Sequence, residues 1–192
     1  MKKEPNFLVS FKYTFNLFLI MEEPKQIFKE TTEWFSLMGC KCNKFLGSAT
    51  IQTIRSHLAK KGFNISQRNV YIQNIPNELD LLILDKGVNN KMLVYEPEEV
   101  LAILEIKFRG SFGKSSIESL KKVYEHIKQI DNIPCLYVTL LEGKTYKNKI
   151  TKENSGWNTF DIFYYKGDIM KGKKEDTGDW YKLIKYIQKI YG

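Results

Sequence analysis

Cysteine, histidine and proline are scarce in this chain: three Cys, two His and five Pro among 192 residues. Cys40, Cys42 and Cys135 are odd in number and form no repeated C-x-x-C pair. That excludes a disulfide framework and a four-thiolate zinc or iron–sulfur centre. They read as small thiols without a role, in a reducing compartment such as the cytoplasm. His57 and His126 fall on helical stretches, lack metal-ligand spacing to one another, and read as structural residues. No repeat, low-complexity tract or Pro/Gly/Ser-rich linker divides the chain, so one domain over residues 1–192 is expected. Long apolar runs are missing as well. The stretch Phe7 to Ile20 follows Lys2 and Lys3 as in a signal peptide, but Lys12 and Asn16 interrupt it and no small-x-small cleavage site follows. It is also too short and polar to cross a bilayer, so no membrane partner is expected. Leu37-Met38-Gly39-Cys40 is like a lipoprotein cleavage box, yet Glu30 and Glu33 stand where its apolar segment would have to be. Residues 1–20 therefore read as a packed strand or short helix, or as an extension ahead of a start at Met21.

Basic charge is what the chain has instead. Thirty Lys and Arg against 22 Asp and Glu give a net charge of +8 and a pI of about 9.2. Such a surface suits a polyanionic partner, because Lys and Arg that neutralise phosphates release condensed counterions. Apolar residues at 43% and charged residues at 27% are ordinary for a globular domain with a substantial core.

Apolar spacing predicts four helices. Pro24 to Met38 would place Ile27, Phe28, Thr31, Trp34, Phe35 and Met38 on one face. Ser48 to Lys61 carries Ile51, Ile54 and Leu58, with Gly62 as a stop signal. A third helix is expected from Ser115, where Ser115-Ser116-Ile117-Glu118 matches a capping box; its inner face would be Ile117, Leu120, Tyr124, Ile127 and Ile130. The last, Trp180 to Tyr191, turns Leu183, Ile184, Ile187 and Ile190 inward. Between them, Leu79–Leu84, Val100–Phe108, Cys135–Leu141 and Phe160–Tyr165 read as strands, and Asn64–Gln73 as another. The order implies an α/β (α+β sandwich) fold with a central mixed β-sheet flanked by helices.

Two carboxylates interrupt that apolar pattern. Asp80 opens the run Leu81-Leu82-Ile83-Leu84, and Glu105 lies inside Val100 to Lys107. Charges so placed are costly unless paired, hydrogen-bonded or metal-bound. Lys107 follows Glu105 by two residues, which puts both side chains on one face of a strand. If the two strands are neighbours, two carboxylates and one ammonium converge. Hard oxygen ligands suit Mg²⁺, with Mn²⁺ as a substitute, and the Ile106 carbonyl would be a further ligand. A metal there would activate a water and neutralise phosphoryl charge, while Lys107 orients or helps deprotonate that water.

Ile75-Pro76-Asn77-Glu78-Leu79-Asp80 followed by Leu104-Glu105-Ile106-Lys107 resembles the PD-(D/E)xK nuclease superfamily, the restriction-endonuclease-like proteins. There a hairpin carries Asp and Glu-x-Lys and is followed by a helix and a further strand. The resemblance spans residues 48–141, including Tyr95-Glu96-Pro97-Glu98-Glu99-Val100 ahead of the second motif. It implies a Mg²⁺-dependent endodeoxyribonuclease acting in restriction or genome defence, with Asp80, Glu105 and Lys107 as catalytic residues. Asp80, Glu105 and Ile106 would be the metal ligands and duplex DNA the substrate. A homodimer would serve symmetric duplex cutting. The resemblance also leaves open a resolvase or repair nuclease, and a non-catalytic nucleic-acid-binding module on the same fold. One departure stands out: the family often adds an acid on a preceding helix. Ser48–Lys61 has none, and only Glu30 and Glu33 lie nearby.

Phe108-Arg109-Gly110-Ser111-Phe112-Gly113-Lys114-Ser115 invites a P-loop reading, but Phe108 stands where the Walker pattern requires Gly. ATP binding is rejected and no nucleotide cofactor is expected. Arg109 and Lys114 could instead hold a backbone phosphate, joined by Lys121 on the third helix. The lysines at 144, 147, 149 and 152, and those at 166, 171, 173 and 174, read as two basic loops.

Overall fold

The computed structural model describes residues 22–34, 36–37, 43–90, 93–110, 114–143, 149–166 and 172–192. The N-terminal extension, Phe35, Met38, Cys40, Cys42, Lys144, Lys147 and Lys171 lie outside them. Helix α1 covers residues 22–34 and α2 covers Asn43–Lys60. Two-residue strands β1 (Tyr71–Ile72) and β3 (Val94–Tyr95) pair with each other in parallel. Strand β2 (Leu81–Leu84) precedes β3, and a turn of 3-10 helix at Pro97–Glu99 leads into β4 (Val100–Arg109). Helix α3 (Lys114–Ile130), β5 (Cys135–Gly143), the short α4 (Lys152–Ser155), β6 (Asn158–Lys166), β7 (Lys173–Asp176) and α5 (Asp179–Tyr191) complete the order.

The main sheet has five strands in the order β2-β4-β5-β6-β7. Its outer pairs are antiparallel and its inner pairs, β4–β5 and β5–β6, are parallel. This is the mixed sheet flanked by helices that the sequence implied, and it reaches well past residue 141. Parallel inner strands need a crossover connection, which α3 supplies between β4 and β5. Both faces of the sheet are covered. Leu104, Ile106, Phe108, Val138 and Ile162 pack towards α2 and α5, whereas Ile103, Cys135 and Tyr137 pack towards α3 and the segment 70–95.

Burial along β4 locates the functional region. Its first half is covered almost continuously; from Leu104 onward buried and half-buried residues alternate. The half-buried positions are Glu105 and Lys107. The α3 side of the sheet thus opens at these two residues.

Three predicted elements change. Asn64–Gln73 is not a continuous strand: outside Tyr71–Ile72, only isolated bridges join Ile65 to Ile83 and Val70 to Leu79. Asn69 and Asn74 adopt positive φ (57° and 66°), which breaks extended backbone. Helix α3 starts at Lys114, so Ser115 lies in its first turn and does not cap it; Ile130 at its far end is exposed. The supposed basic loop after residue 166 contains β7, whose Lys-Lys-Glu-Asp run carries no apolar signal. It is an edge strand held by main-chain pairing to β6, and charged residues are a common guard on such edges.

Helix α1 docks through Ile27 and Thr31, both fully buried, and through Phe28, whose ring meets Phe163 edge-on at 6.0 Å. Trp34, on the predicted inner face, is exposed. A polar clasp adds to this: His57 of α2 lies between Glu23 (3.2 Å) and Glu30 (3.0 Å), and Lys61 reaches Glu23 at 2.7 Å. Burial raises the Glu23 carboxyl, but its contacts with His57 and Lys61 outweigh this and bring it down to about 2. A carboxylate depressed in the folded state stabilises above its unfolded value of 4.5 and loses that contribution as pH falls towards 2. Glu23→Gln is expected to destabilise the protein at pH 7 by about 3 kcal/mol at most. Urea titrations at successive pH values should show the gap closing below pH 4.5.

Candidate active site

Strand β2 delivers the first functional group. Asp80 lies one residue before it, and the antiparallel register Leu81↔Leu104 sets Asp80 beside the second half of β4. There Asp80 Oδ2 accepts a hydrogen bond of 2.7 Å from the Ile106 N–H. The side chain thus continues the ladder that the β2 backbone has stopped making. Lys107 Nζ lies 3.5 Å from the same oxygen and forms a shorter ion pair with Glu105. The structure therefore brings Asp80, Glu105 and Lys107 together.

The electrostatics are unbalanced in a particular way. Burial, and then the neighbouring Asp80 charge, push the Glu105 carboxyl above its ordinary value despite Lys107. Burial pulls the Lys107 ammonium down, but the charges of Glu105 and Asp80 outweigh it and hold it above its ordinary value. Lys107 is accordingly an ammonium at neutral pH. In this state it can donate hydrogen bonds and stabilise negative charge, and has no lone pair with which to accept a proton.

A divalent cation fits this donor set. Hydrogen bonds and ion pairs occupy Asp80 Oδ2 and Glu105 Oε1, whereas Asp80 Oδ1 and Glu105 Oε2 have no protein partner among the described residues. The N–H and C=O of a strand residue leave on the same edge, so the Ile106 carbonyl shares the Asp80 side. No group of three or more His, Cys, Asp or Glu side chains among the described residues is arranged to hold a metal. The site thus offers two carboxylates and a carbonyl, the sparse oxygen set of an ion that keeps several waters, such as Mg²⁺.

Glu30, Glu33 and Glu78, the acids nearest in sequence ahead of Asp80 among the described residues, are engaged elsewhere. Glu30 is engaged by His57 and Glu33 faces Lys29 at 3.8 Å. Glu78 turns to the Tyr71 hydroxyl at 3.3 Å, away from Asp80.

Beside Glu105 and Lys107 a cleft of about 290 Å³ opens, walled by Ser115, Ser116, Ser119 and Leu120 of α3 and floored by Tyr137 of β5. In the sequence Ser115 and Ser116 served only as a helix-start signal and Ser119 carried no signal, because nothing in their local spacing ties them to β4. Of the expected phosphate contacts, Lys114 is exposed beside Ser115 and Lys121 is exposed further along α3. Arg109 is placed differently: its guanidinium lies 5.8 Å from the Tyr165 ring on β6. Gly110 is explained by packing, because a Cβ there would come within 2.0 Å of the Glu142 carboxylate. The residues 111–113 of the rejected P-loop pattern lie outside the described part. Lys149 does not point into a loop of free charges: it pairs with buried Asp161 and meets Tyr164 OH at 3.5 Å. Burial pushes the Cys135 thiol up to about 12, which leaves it an unreactive core residue.

Sheet order, crossover and hairpin site together define the restriction-endonuclease-like fold. Among solved structures, NucC from P. aeruginosa ATCC27853 in its cAAA-bound form superposes with a TM-score of 0.61 at 12% identity, over 88% of this chain and 89% of that one. NucC from E. coli MS115-1, also cAAA-bound, gives 0.58 at 12% identity and 88% coverage of both chains. At such identity the likeness is one of fold. No family model and no curated protein sequence matches the chain. The cAAA in both neighbours limits one expectation: rejecting a Walker loop argues against ATP in that loop, and not against every nucleotide ligand. No helix among the described residues is long and apolar enough to cross a membrane.

The raised Glu105 carboxyl carries a stability consequence. An acid whose folded value exceeds its unfolded one binds more protons when folded, so ionising it lowers stability as pH rises from the unfolded to the folded value. Glu105→Gln should therefore raise the melting temperature of the metal-free protein at neutral pH. The comparison is thermal unfolding in EDTA; an unchanged or lower midpoint would contradict this electrostatic account.

Proposed function

We propose that this chain is a Mg²⁺-dependent endonuclease that hydrolyses DNA phosphodiester bonds in restriction or genome defence within the cytoplasm. The observation that carries the reading is the meeting of Asp80, Glu105 and Lys107 beside an open cleft, with one oxygen of each carboxylate unengaged by protein. Carboxylates are otherwise poor neighbours for one another, and an oxygen-seeking cation relieves that repulsion. Asp80, Glu105 and the Ile106 carbonyl would hold the cation, which supplies an activated water and charge neutralisation at the phosphoryl group. Lys107 hydrogen-bonds the phosphate or the attacking water and stabilises the charge that develops. Lys107 would thereby orient the water or help deprotonate it.

The positive balance of the chain suits DNA, and Lys114 and Lys121 are exposed on α3, the helix that walls the cleft beside Glu105. Symmetric cutting of a duplex needs two such sites, hence a homodimer. A role for a nucleotide ligand of the kind seen in the NucC neighbours remains compatible with this assignment.

Cleavage of supercoiled plasmid tests the assignment. Wild type should cut with Mg²⁺ or Mn²⁺ and not with EDTA. Asp80→Asn and Lys107→Ala should each lose at least 100-fold in rate while remaining folded, the usual scale for a group that stabilises transition-state charge. Salt-dependent binding without metal-dependent cleavage would leave a DNA-binding module instead. Equal cutting by all three proteins would remove the site. A separate prediction concerns Lys114→Ala: it should weaken duplex binding on every sequence and reduce the slope of log affinity against log salt by about one.

A further inference from the structure

Ser116 and Ser119 of α3 are half-buried and exposed respectively, and both line the cleft beside Glu105. Thr32, Ser36, Thr50 and Ser56 turn back on their own helix, whereas Thr31 Oγ1 is buried without a partner among the described residues. Thr32 donates to the Phe28 carbonyl at 3.0 Å, Ser36 to Thr32 at 3.1 Å, Thr50 to Leu46 at 2.7 Å and Ser56 to Gln52 at 2.9 Å. That i−4 bond is the standard way for a helical hydroxyl to satisfy its donor. Ser119 has such a carbonyl available, at Ser115 within the same helix, and does not use it. Neither Ser116 nor Ser119 has a side-chain hydrogen bond among the described residues.

Both hydroxyl-bearing residues wall the cleft whose opposite side is Glu105 and Lys107. They are three residues apart, so they share one face of α3. The first turn of this helix contains no acidic residue, and the exposed Glu118 follows it. The two sides of the cleft differ in kind. The β4 side presents carboxylate oxygens and one ammonium, and the α3 side presents neutral donors. A phosphodiester has two non-bridging oxygens, and such a pair of walls can engage both.

We propose that Ser116 and Ser119 bind the phosphodiester of the substrate by donating hydrogen bonds to its non-bridging oxygen, and so act as substrate-binding residues opposite Glu105 and Lys107. The proposal rests on the nuclease reading of that site and adds the wall that holds the substrate. Because the donors are neutral, they release no counterions on binding. Their removal therefore weakens affinity without changing its salt dependence, which separates them from lysine contacts.

The test uses the full chain, a short labelled DNA duplex for binding in EDTA, and plasmid cleavage in Mg²⁺. The double variant S116A/S119A should stay folded, since alanine favours a helix and neither hydroxyl is tied to the protein. Its affinity should fall by roughly tenfold or more, the scale of hydrogen bonds to a charged group, with an unchanged salt slope. In cleavage, KM should rise while kcat holds. Ser116→Thr and Ser119→Thr, which keep the hydroxyl, should retain most of the affinity. If S116A/S119A binds and cuts like wild type while Lys107→Ala is inactive, the serine wall is overturned and the nuclease stands. A fall in kcat with KM unchanged, or a shallower salt slope, also overturns it. If wild type neither binds nor cuts DNA, the reading of the site falls and this proposal with it.

Discussion

The hydrogen bond from the Ile106 N–H to Asp80 Oδ2, 2.7 Å long, is the constraint on which the site depends. It joins two residues 26 positions apart in the chain and does so where the β2–β4 ladder has just ended. A carboxylate takes over the role of a backbone carbonyl. This fixes one oxygen of Asp80 and leaves the other aimed away from the ladder. A charge-assisted bond of this kind is stronger than a neutral one and is suited to holding a group that would otherwise be repelled by Glu105.

From that anchor the rest follows by strand geometry. Period-two alternation turns Glu105 and Lys107 to the same side of β4, and the parallel partner β5 places Tyr137 and Thr139 alongside them. The opposite face of β4 is filled by Leu104, Ile106 and Phe108 in the core against α2 and α5. Rigid packing behind the strand means that the site is carried on a stiff element. The polar groups in front are half-buried, which strengthens their interactions without removing them from solvent. The cost is visible in Glu105, whose ionised form is disfavoured by burial and by Asp80. Metal-free, the site is strained electrostatically; this is a usual signature of groups arranged for a ligand.

The two sides of the sheet divide the labour. On one, α1 is clasped to α2 by Glu23, His57, Glu30 and Lys61, distant from the chemistry and engaged in holding the fold. On the other, α3 serves as both the crossover that makes β4 and β5 parallel and the far wall of the cleft. One helix thus answers a topological need and a chemical one.

Much of this was legible in the sequence. Apolar periodicity located α2, α3, α5 and the strands β2, β4, β5 and β6 to within a few residues, because each has an apolar face that must be buried. Asp80, Glu105 and Lys107 were conspicuous for the same reason: charges inside apolar strand runs violate the pattern and need compensation. Strand β7 and the broken segment 64–73 were not legible. The first is held by backbone pairing that leaves no side-chain signature, and the second is interrupted by the positive φ of Asn69. Local sequence determined which residues form each element and which carboxylates were out of place, since burial and period act over a few residues. Only the tertiary structure decided that β2 lies beside β4, that Asp80 caps the unfinished ladder at Ile106, and that the serines of α3 face Glu105. Those relations join residues far apart in the chain, and only the packed sheet and its crossover set the distances between them.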